Sequence, residues 1–297
     1  MSFTNIYKYI RYIDSKKASK EQYNIFILNF VKLHNSTEYL YKNIDKYTDI
    51  LTIVYDFILS NLEYITIRVD NYGEFMNKYC KKITKALDLD TDICDSSNNK
   101  VLSNLYKFVD IGGGNGIFLN YLCKQFNTTL CTVIEKKNEE FIYDNLKNTN
   151  TKHLYWDNVN FDIADNTIDC CISSQVLHHL SDELIDTVVK EMYRCLKPNG
   201  IVFLVEHDAN KNNKNNIDSD HHLYYILNEQ VRKIKNKDII SIKDCIEDFT
   251  HYTKIHYINY KSEDDWSNIF TKHKFNIDTI SMNKIQYNGK YYSIYRK

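Results

Sequence analysis

Four of the seven glycines in this 297-residue chain fall within five positions, in Asp110-Ile111-Gly112-Gly113-Gly114-Asn115-Gly116. An apolar run ends at Asp110 and Ile111, and a helical pattern, Ile117 to Gln125, follows the glycines. Glycine lets a backbone turn sharply and lets a ligand approach a helix N-terminus closely. Codon bias accounts for the many Asn, Lys, Ile and Tyr residues, but not for a glycine cluster in a glycine-poor chain. The spacing argues against a dinucleotide loop: G-x-G-x-x-G requires glycine at position 117, which is Ile117. Taken alone, the cluster suits a nucleoside-type ligand, with a structural turn as the alternative. A second acid, Glu135, ends the next strand candidate about 20 residues on, where two carboxylate oxygens can accept two ribose hydroxyls; an acidic helix cap is the other reading.

Histidine is the natural proton acceptor near neutral pH. His178, His179, His207, His221 and His222 all fall after the glycine loop. His207 follows a strand candidate in Glu206-His207-Asp208 and is expected to act as a base or acceptor-positioning group, oriented by Asp208 or Glu206. It also reads as a hydrogen-bonded loop histidine. His179 and His222 are further catalytic candidates, although His178 and His179 equally suit packing beside a ligand. His222, with Tyr224 and Tyr225, starts an apparent helix able to cover a pocket.

The elements that must position these groups are legible as an alternation. Tyr106 to Ile111, Thr129 to Glu135, Thr167 to Ser173 and Gly200 to Glu206 are strand candidates. Ser181 caps a helix whose first turn carries Asp182 and Glu183 and whose inner face is Leu184, Ile185, Val188, Val189 and Met192. Lys197-Pro198-Asn199-Gly200 ends it. Strands joined by helices predict an α/β, Rossmann-like, doubly wound and mostly parallel sheet. The tail differs. Ser262 and Asp265 form a capping-box pair, Phe275 to Met282 is a strand candidate, and Asn288-Gly289 marks a hairpin returning through Lys290 to Tyr295. The sheet is thus expected to end in an antiparallel β-hairpin. Residues 1–100 read as a helical N-terminal cap or extension, with Leu51, Val54, Tyr55, Ile58, Leu59 and Leu62 on one helix face. Residues 101–297 read as the ligand-binding domain, with 207–261 as an insertion or lid.

Asp110 to Gly116 matches D-x-G-x-G-x-G and resembles the first motif of class I (Rossmann-like) S-adenosylmethionine (SAM)-dependent methyltransferases. The resemblance continues through Phe161 to Leu180 (FDIADNTIDCCISSQVLHHL) and Glu191 to Gly200 (EMYRCLKPNG), with Asn199 where the family usually has glycine. It spans about residues 105 to 206. It implies SAM as cofactor and S-adenosylhomocysteine as product, held by Asp110, Gly112, Gly113, Gly114, Asn115, Gly116, Glu135, Lys136, Ser174 and Gln175. Asp157 is implied at the adenine amino group, and Trp156 on the ring.

The implied reaction is methyl transfer to an O or N acceptor. A small-molecule acceptor fits the core pattern. RNA, including a cap, stays open, with Arg232, Lys233, Lys235 and Lys237 as phosphate contacts or as a solvated helix face. A non-catalytic SAM-binding subunit, with a protein partner at the N-terminal helices, is the third reading. Other chemistries lose support. The only proline is Pro198, so N/D-P-P-Y and Pro-Cys motifs are excluded. Eight scattered cysteines show no metal-ligand spacing, so no metal is expected, and reduced thiols are. Lys plus Arg (38) balance Asp plus Glu (39), which gives no general call to nucleic acid or membrane. No signal peptide or membrane span is expected, and a cytoplasmic location follows.

Overall fold

A computed structural model describes residues 19–21, 52, 55–56, 59–60, 72–87, 106–113, 118–119, 121–122, 131–135, 152–207, 209, 230–255, 259–278 and 290–297. The chain divides into two compact units. One comprises Asn71–Lys211 with Tyr257–Lys297, and the other Met1–Asp70 with Asn212–His256.

The first unit is built on a seven-stranded sheet: β1 (Phe108–Ile111), β2 (Cys131–Glu135), β3 (Lys152–Tyr155), β4 (Ile168–Ser174), β5 (Leu196–His207), β6 (Asn276–Ile277) and β7 (Lys290–Arg296). Their spatial order is β3-β2-β1-β4-β5-β7-β6. β1 to β5 pair in parallel, and β7 runs antiparallel to both β5 and β6. The expected α/β architecture is the observed one. β3 was not foreseen: its four residues, Lys-His-Leu-Tyr, form too short a run to show a period. β6 covers two residues of the Phe275 to Met282 candidate, and Asn288-Gly289 lies outside the described residues.

Parallel strands with helices on both sides bury both faces, which explains near-continuous apolar runs such as Ile201 to Val205. Val109, Ile111, Cys171, Val202 and Leu204 pack on one face with helix α2 (Asp182–Cys195), through Ile185, Val188, Val189 and Met192. Trp266 and Phe270 of a further helix, Glu263–Lys272, join them, and Phe270 stacks on Tyr295 at 4.0 Å. Phe108, Cys170, Ile172, Ile201 and Phe203 point the other way, against Leu119, Leu122 and helix α1 (Tyr72–Ala86), through Cys80, Ile83 and Ala86. The alternation within each strand assigns these residues to opposite faces. Burial pushes the Cys170 and Cys171 thiols well above their ordinary pKa, so both are apolar filler.

Both caps read from the sequence are made. Ser181 Oγ accepts the Leu184 N–H, and Ser262 and Asp265 form a reciprocal capping box. Asn199 adopts φ +67°, the left-handed angle expected where a glycine is usual. Lys197 to Gly200 interrupt the β4–β5 register as an irregularity within β5.

In the second unit the described helices are α3 (Val231–Asn236) and α4 (Ile242–Ile255). Asp244 Oδ2 accepts the Ser241 N–H while Ser241 Oγ accepts the Asp244 N–H, which closes the start of α4. Gln230 Nε2 donates to the Cys245 carbonyl, and burial lifts the Cys245 thiol to about 12. Tyr55 is buried, as its helical spacing implies, but Leu59 of the same expected face is 47% exposed. No helix among the described residues is long and apolar enough to cross a membrane.

The loop leading into β4 is held by one guanidinium. Arg194 on α2 donates to both oxygens of Glu191, to the Phe161 and Ile163 carbonyls and to Asp165, while Glu191 also accepts the Phe161 N–H. Burial works to raise the Glu191 pKa, but the Arg194 and Phe161 hydrogen bonds outweigh it and hold it below the ordinary carboxylate value. Arg194→Ala is therefore expected to cost roughly 2–3 kcal/mol, below the range for a fully buried pair because the Arg194 side chain keeps 29% exposure. A depressed carboxylate contributes its stability above the unfolded pKa and loses it as pH falls through the folded one. Urea unfolding should thus show the wild-type advantage at neutral pH and a narrowing gap below about pH 4. A pH-independent gap would contradict the pairing.

Candidate functional site

Four parallel strands end side by side. Register pairs Ile111 of β1 with Ile134 of β2 and with Ser173 of β4, and Ser174 with Val205 of β5. The edge beyond these strand ends is where open α/β sheets bind ligands.

Gly112 leaves β1 with φ +65°, and its N–H donates to the Ile134 carbonyl at 2.7 Å. A Cβ there would lie 2.4 Å from Val176 Cγ1, and one on Gly113 would lie 2.8 Å from Asp110 Oδ2. A side chain at either position requires Val176 or Asp110 to shift. Asp110, 2% exposed, lies directly beneath the turn. Glu135 ends β2 beside Tyr155 at the same edge. Gly114, Asn115, Gly116 and Lys136 lie outside the described residues, as does the Glu135 side chain. What is described fits SAM: bare backbone above a buried acid, with a second acid ending the adjacent strand.

On the other side of Gly112 the chain leaves β4 at Ser174, which is partly exposed. Gln175 reverses the backbone at φ +60°, and its N–H donates to the Val205 carbonyl at 2.8 Å. A 3₁₀ turn, Leu177–His179, follows. Gln175 Nε2 lies 3.2 Å from His207 Nε2, so the residue expected at the cofactor and the histidine expected at the acceptor share a hydrogen bond. The His178 ring packs 4.1 Å from His179 and 5.3 Å, edge-on, from His207. Tyr260 completes the cluster, 5.1 Å from His178 and 5.3 Å from His207. The Asn259 N–H donates to the His178 carbonyl at 2.6 Å and the Ala209 N–H to the Lys261 carbonyl at 3.1 Å, which pins the Tyr260 segment to this edge.

One contact is corrected. The Glu206 carboxylate does not bond His207 directly: it points at the turn after β4, accepting from Val176, Leu177 and His178. Successive side chains of a strand face opposite ways, so neighbours in sequence rarely share a pocket. Asp208, His221 and His222 lie outside the described residues. Trp156 is buried in the core, edge-on to Phe161 at 6.3 Å, and Asp157 Oδ1 takes the Val159 N–H at 2.9 Å. Lys233 forms an ion pair with Asp248 within its own unit. Tyr260 was not foreseen, because nothing in its spacing distinguishes it among 25 tyrosines.

With this geometry in place, residues 109–204 match a family model described as a methyltransferase domain. Those residues, about a third of the chain, are similar to a methyltransferase domain. Phosphoethanolamine N-methyltransferase 1 of Triticum aestivum is 25% identical over 166 residues, 49% of this chain, and the chain spans about a third of that protein's length (33%). Among solved structures, a Burkholderia thailandensis 1,6-didemethyltoxoflavin-N1-methyltransferase, with 1,6-didemethyltoxoflavin and S-adenosylhomocysteine bound, matches at TM-score 0.47 and 10% identity, over 75% of this chain and 77% of its own. A complex of the Haloferax volcanii Trm112 methyltransferase activator with a methyltransferase matches at 0.45 and 13%, over 76% and 94%. The family match covers β1 to β5 as far as Leu204 and leaves His207 and Tyr260 beyond it.

The glycine turn of this domain yields a sharp test. Gly112→Ala combines a left-handed backbone angle, costing roughly 1–2 kcal/mol, with the Val176 clash. Its melting temperature should fall by several degrees. Adding Val176→Ala should recover the part due to the clash but not the part due to the angle. A Gly112→Ala protein as stable as wild type would show that the turn is not built this way.

Proposed function

We propose that this chain transfers a methyl group from SAM to an O or N acceptor on a small molecule. The observation that carries the reading is the meeting, at one strand edge, of the side-chain-free Gly112–Gly113 turn with the hydrogen-bonded Gln175–His207 pair. Bound SAM supplies an electrophilic methyl on a sulfonium, whose departure as a thioether needs no proton. The protein's task is then to align acceptor and methyl, which is worth roughly 7–11 kcal/mol when the geometry is right.

In this reading Asp110, Gly112, Gly113, Gly114, Asn115, Gly116, Glu135, Lys136, Ser174 and Gln175 hold the cofactor. Glu135, at the end of β2, takes the ribose hydroxyls. His207, His179 and His222 are the acceptor-side candidates. His207 is best placed, because it follows the apolar run of β5 at the shared edge and Gln175 fixes its Nε2. With its Nε2 accepting from the Gln175 amide, a neutral His207 carries its proton on Nδ1 and orients the acceptor. It takes a proton, from a hydroxyl as the new bond forms or from an ammonium before attack, only when Nε2 exchanges the Gln175 bond for the acceptor's. The wheat relative's name, an N-methyltransferase, supports a nitrogen acceptor within the O-or-N class.

Calorimetric titration with S-adenosylhomocysteine tests the reading. Wild type should bind in the micromolar range, and Glu135→Ala should weaken binding by about tenfold or more, the loss expected when two ribose hydrogen bonds disappear. A well-folded wild type that binds no S-adenosylhomocysteine would sink it.

A further inference from the structure

Building on the methyl-transfer reading, we propose that Glu206 is a positioning residue for this site. Its carboxylate holds the turn after β4 in the place that serves both the glycine loop and the His207 ring.

Ile201 to Val205 form an apolar, buried run along β5, and Glu206 breaks it with an acid that is 0% exposed. Packing alone would be served by another aliphatic side chain, since an ionised carboxylate removed from water is unfavourable unless hydrogen bonds replace its hydration. Glu206 has such bonds, and all come from three consecutive residues. Oε1 accepts the Val176 N–H at 3.2 Å and the Leu177 N–H at 2.9 Å, while Oε2 meets His178 Nδ1 at 2.5 Å. Bonds of this kind, with one partner charged, are the stronger class. Together with the Gln175 N–H to Val205 bond, they tie the whole reversal from β4 to the end of β5.

Two functional elements depend on where that reversal sits. The Val176 methyls occupy the space that a Gly112 side chain would need, so a displaced turn intrudes on the glycine loop or withdraws from it. Gln175, one residue earlier, sets the Nε2 of His207, which is the next residue after Glu206 on β5. The Glu206 carboxylate therefore fixes cofactor side and acceptor side relative to each other without touching either reactant. His178, 1% exposed, is its inner partner, not a reacting group.

The test uses the full chain with ¹⁵N-labelled histidine, as wild type, Glu206→Gln and Glu206→Asp. Readouts are the melting temperature, S-adenosylhomocysteine affinity by calorimetry, and histidine ring signals across about pH 5 to 9, assigned by single His→Gln substitutions. Glu206→Gln should move the His178 and His207 ring signals and weaken S-adenosylhomocysteine by about tenfold, the scale of one or two lost charge-assisted hydrogen bonds. Glu206→Asp, which restores the charge one methylene short, should recover part of both effects, and it carries the test if Glu206→Gln fails to fold. A folded variant that melts lower, yet keeps its His207 signals and an affinity within about twofold of wild type, would overturn the proposal and leave Glu206 a fold-stabilising acid. If wild type binds no S-adenosylhomocysteine, the methyl-transfer reading falls, while the ring signals of the variants still decide whether Glu206 places His207.

Discussion

The parallel register of β2, β1, β4 and β5 is the constraint on which the rest depends. Parallel pairing aligns the C-terminal ends of strands far apart in sequence, so Ile111, Ile134, Ser173 and Leu204 fall in one row. Gly112, Gly113, Glu135, Ser174, Gln175 and His207 come one to three residues after that row. Moving any strand by one residue would exchange its two faces and send Asp110 or Glu206 to the opposite side. Burial of both faces prevents the slip. The cluster with Val109 and Leu204 and the cluster with Phe108 and Phe203 must both be filled, and only one register fills both.

Two acids hold the loops at opposite ends of β4, by different physics. Glu191 lies at the entry, paired with Arg194, and the guanidinium also gathers the carbonyls of Phe161 and Ile163. That arrangement is part solvated and depends on charge, so it is sensitive to acid. Glu206 lies at the exit and is wholly buried, with two amides and an imidazole around it. The first sets where the strand begins, and the second sets where the turn beyond it can go. β4, which pairs with both β1 and β5, transmits the two settings to the strand ends flanking the site.

The ring cluster beside Gln175 is less regular than the glycine turn. Its rings, His178, His179, His207 and Tyr260, come from three separate segments and meet through ring contacts of 4.1 to 5.3 Å. The Tyr260 segment reaches this edge through backbone hydrogen bonds from Asn259 and to Lys261. The methyltransferase family match includes His178 and His179 and ends before His207 and Tyr260.

The sequence by itself determined what local rules govern: the glycine turn, the helix caps at Ser181 and Ser262, the left-handed Asn199, and the alternation that makes the sheet parallel. Each depends on a few adjacent residues, whose steric limits and hydrogen bonds are settled before distant segments arrive. The place of Asp110, Gly112 and Gly113 at the end of β1 and of Gln175 just past β4 follows from the chain itself. Only the tertiary structure decided the rest. β3 was too short to show a period, and its place depends on pairing with β2. Glu206 turned away from His207 because strand alternation and the amides of Val176 and Leu177 outweigh nearness in sequence. Tyr260 joined the site across about 50 residues, as no local rule requires. Contacts between distant segments are set by register and packing of the whole sheet, and neither is written in the spacing of any one stretch.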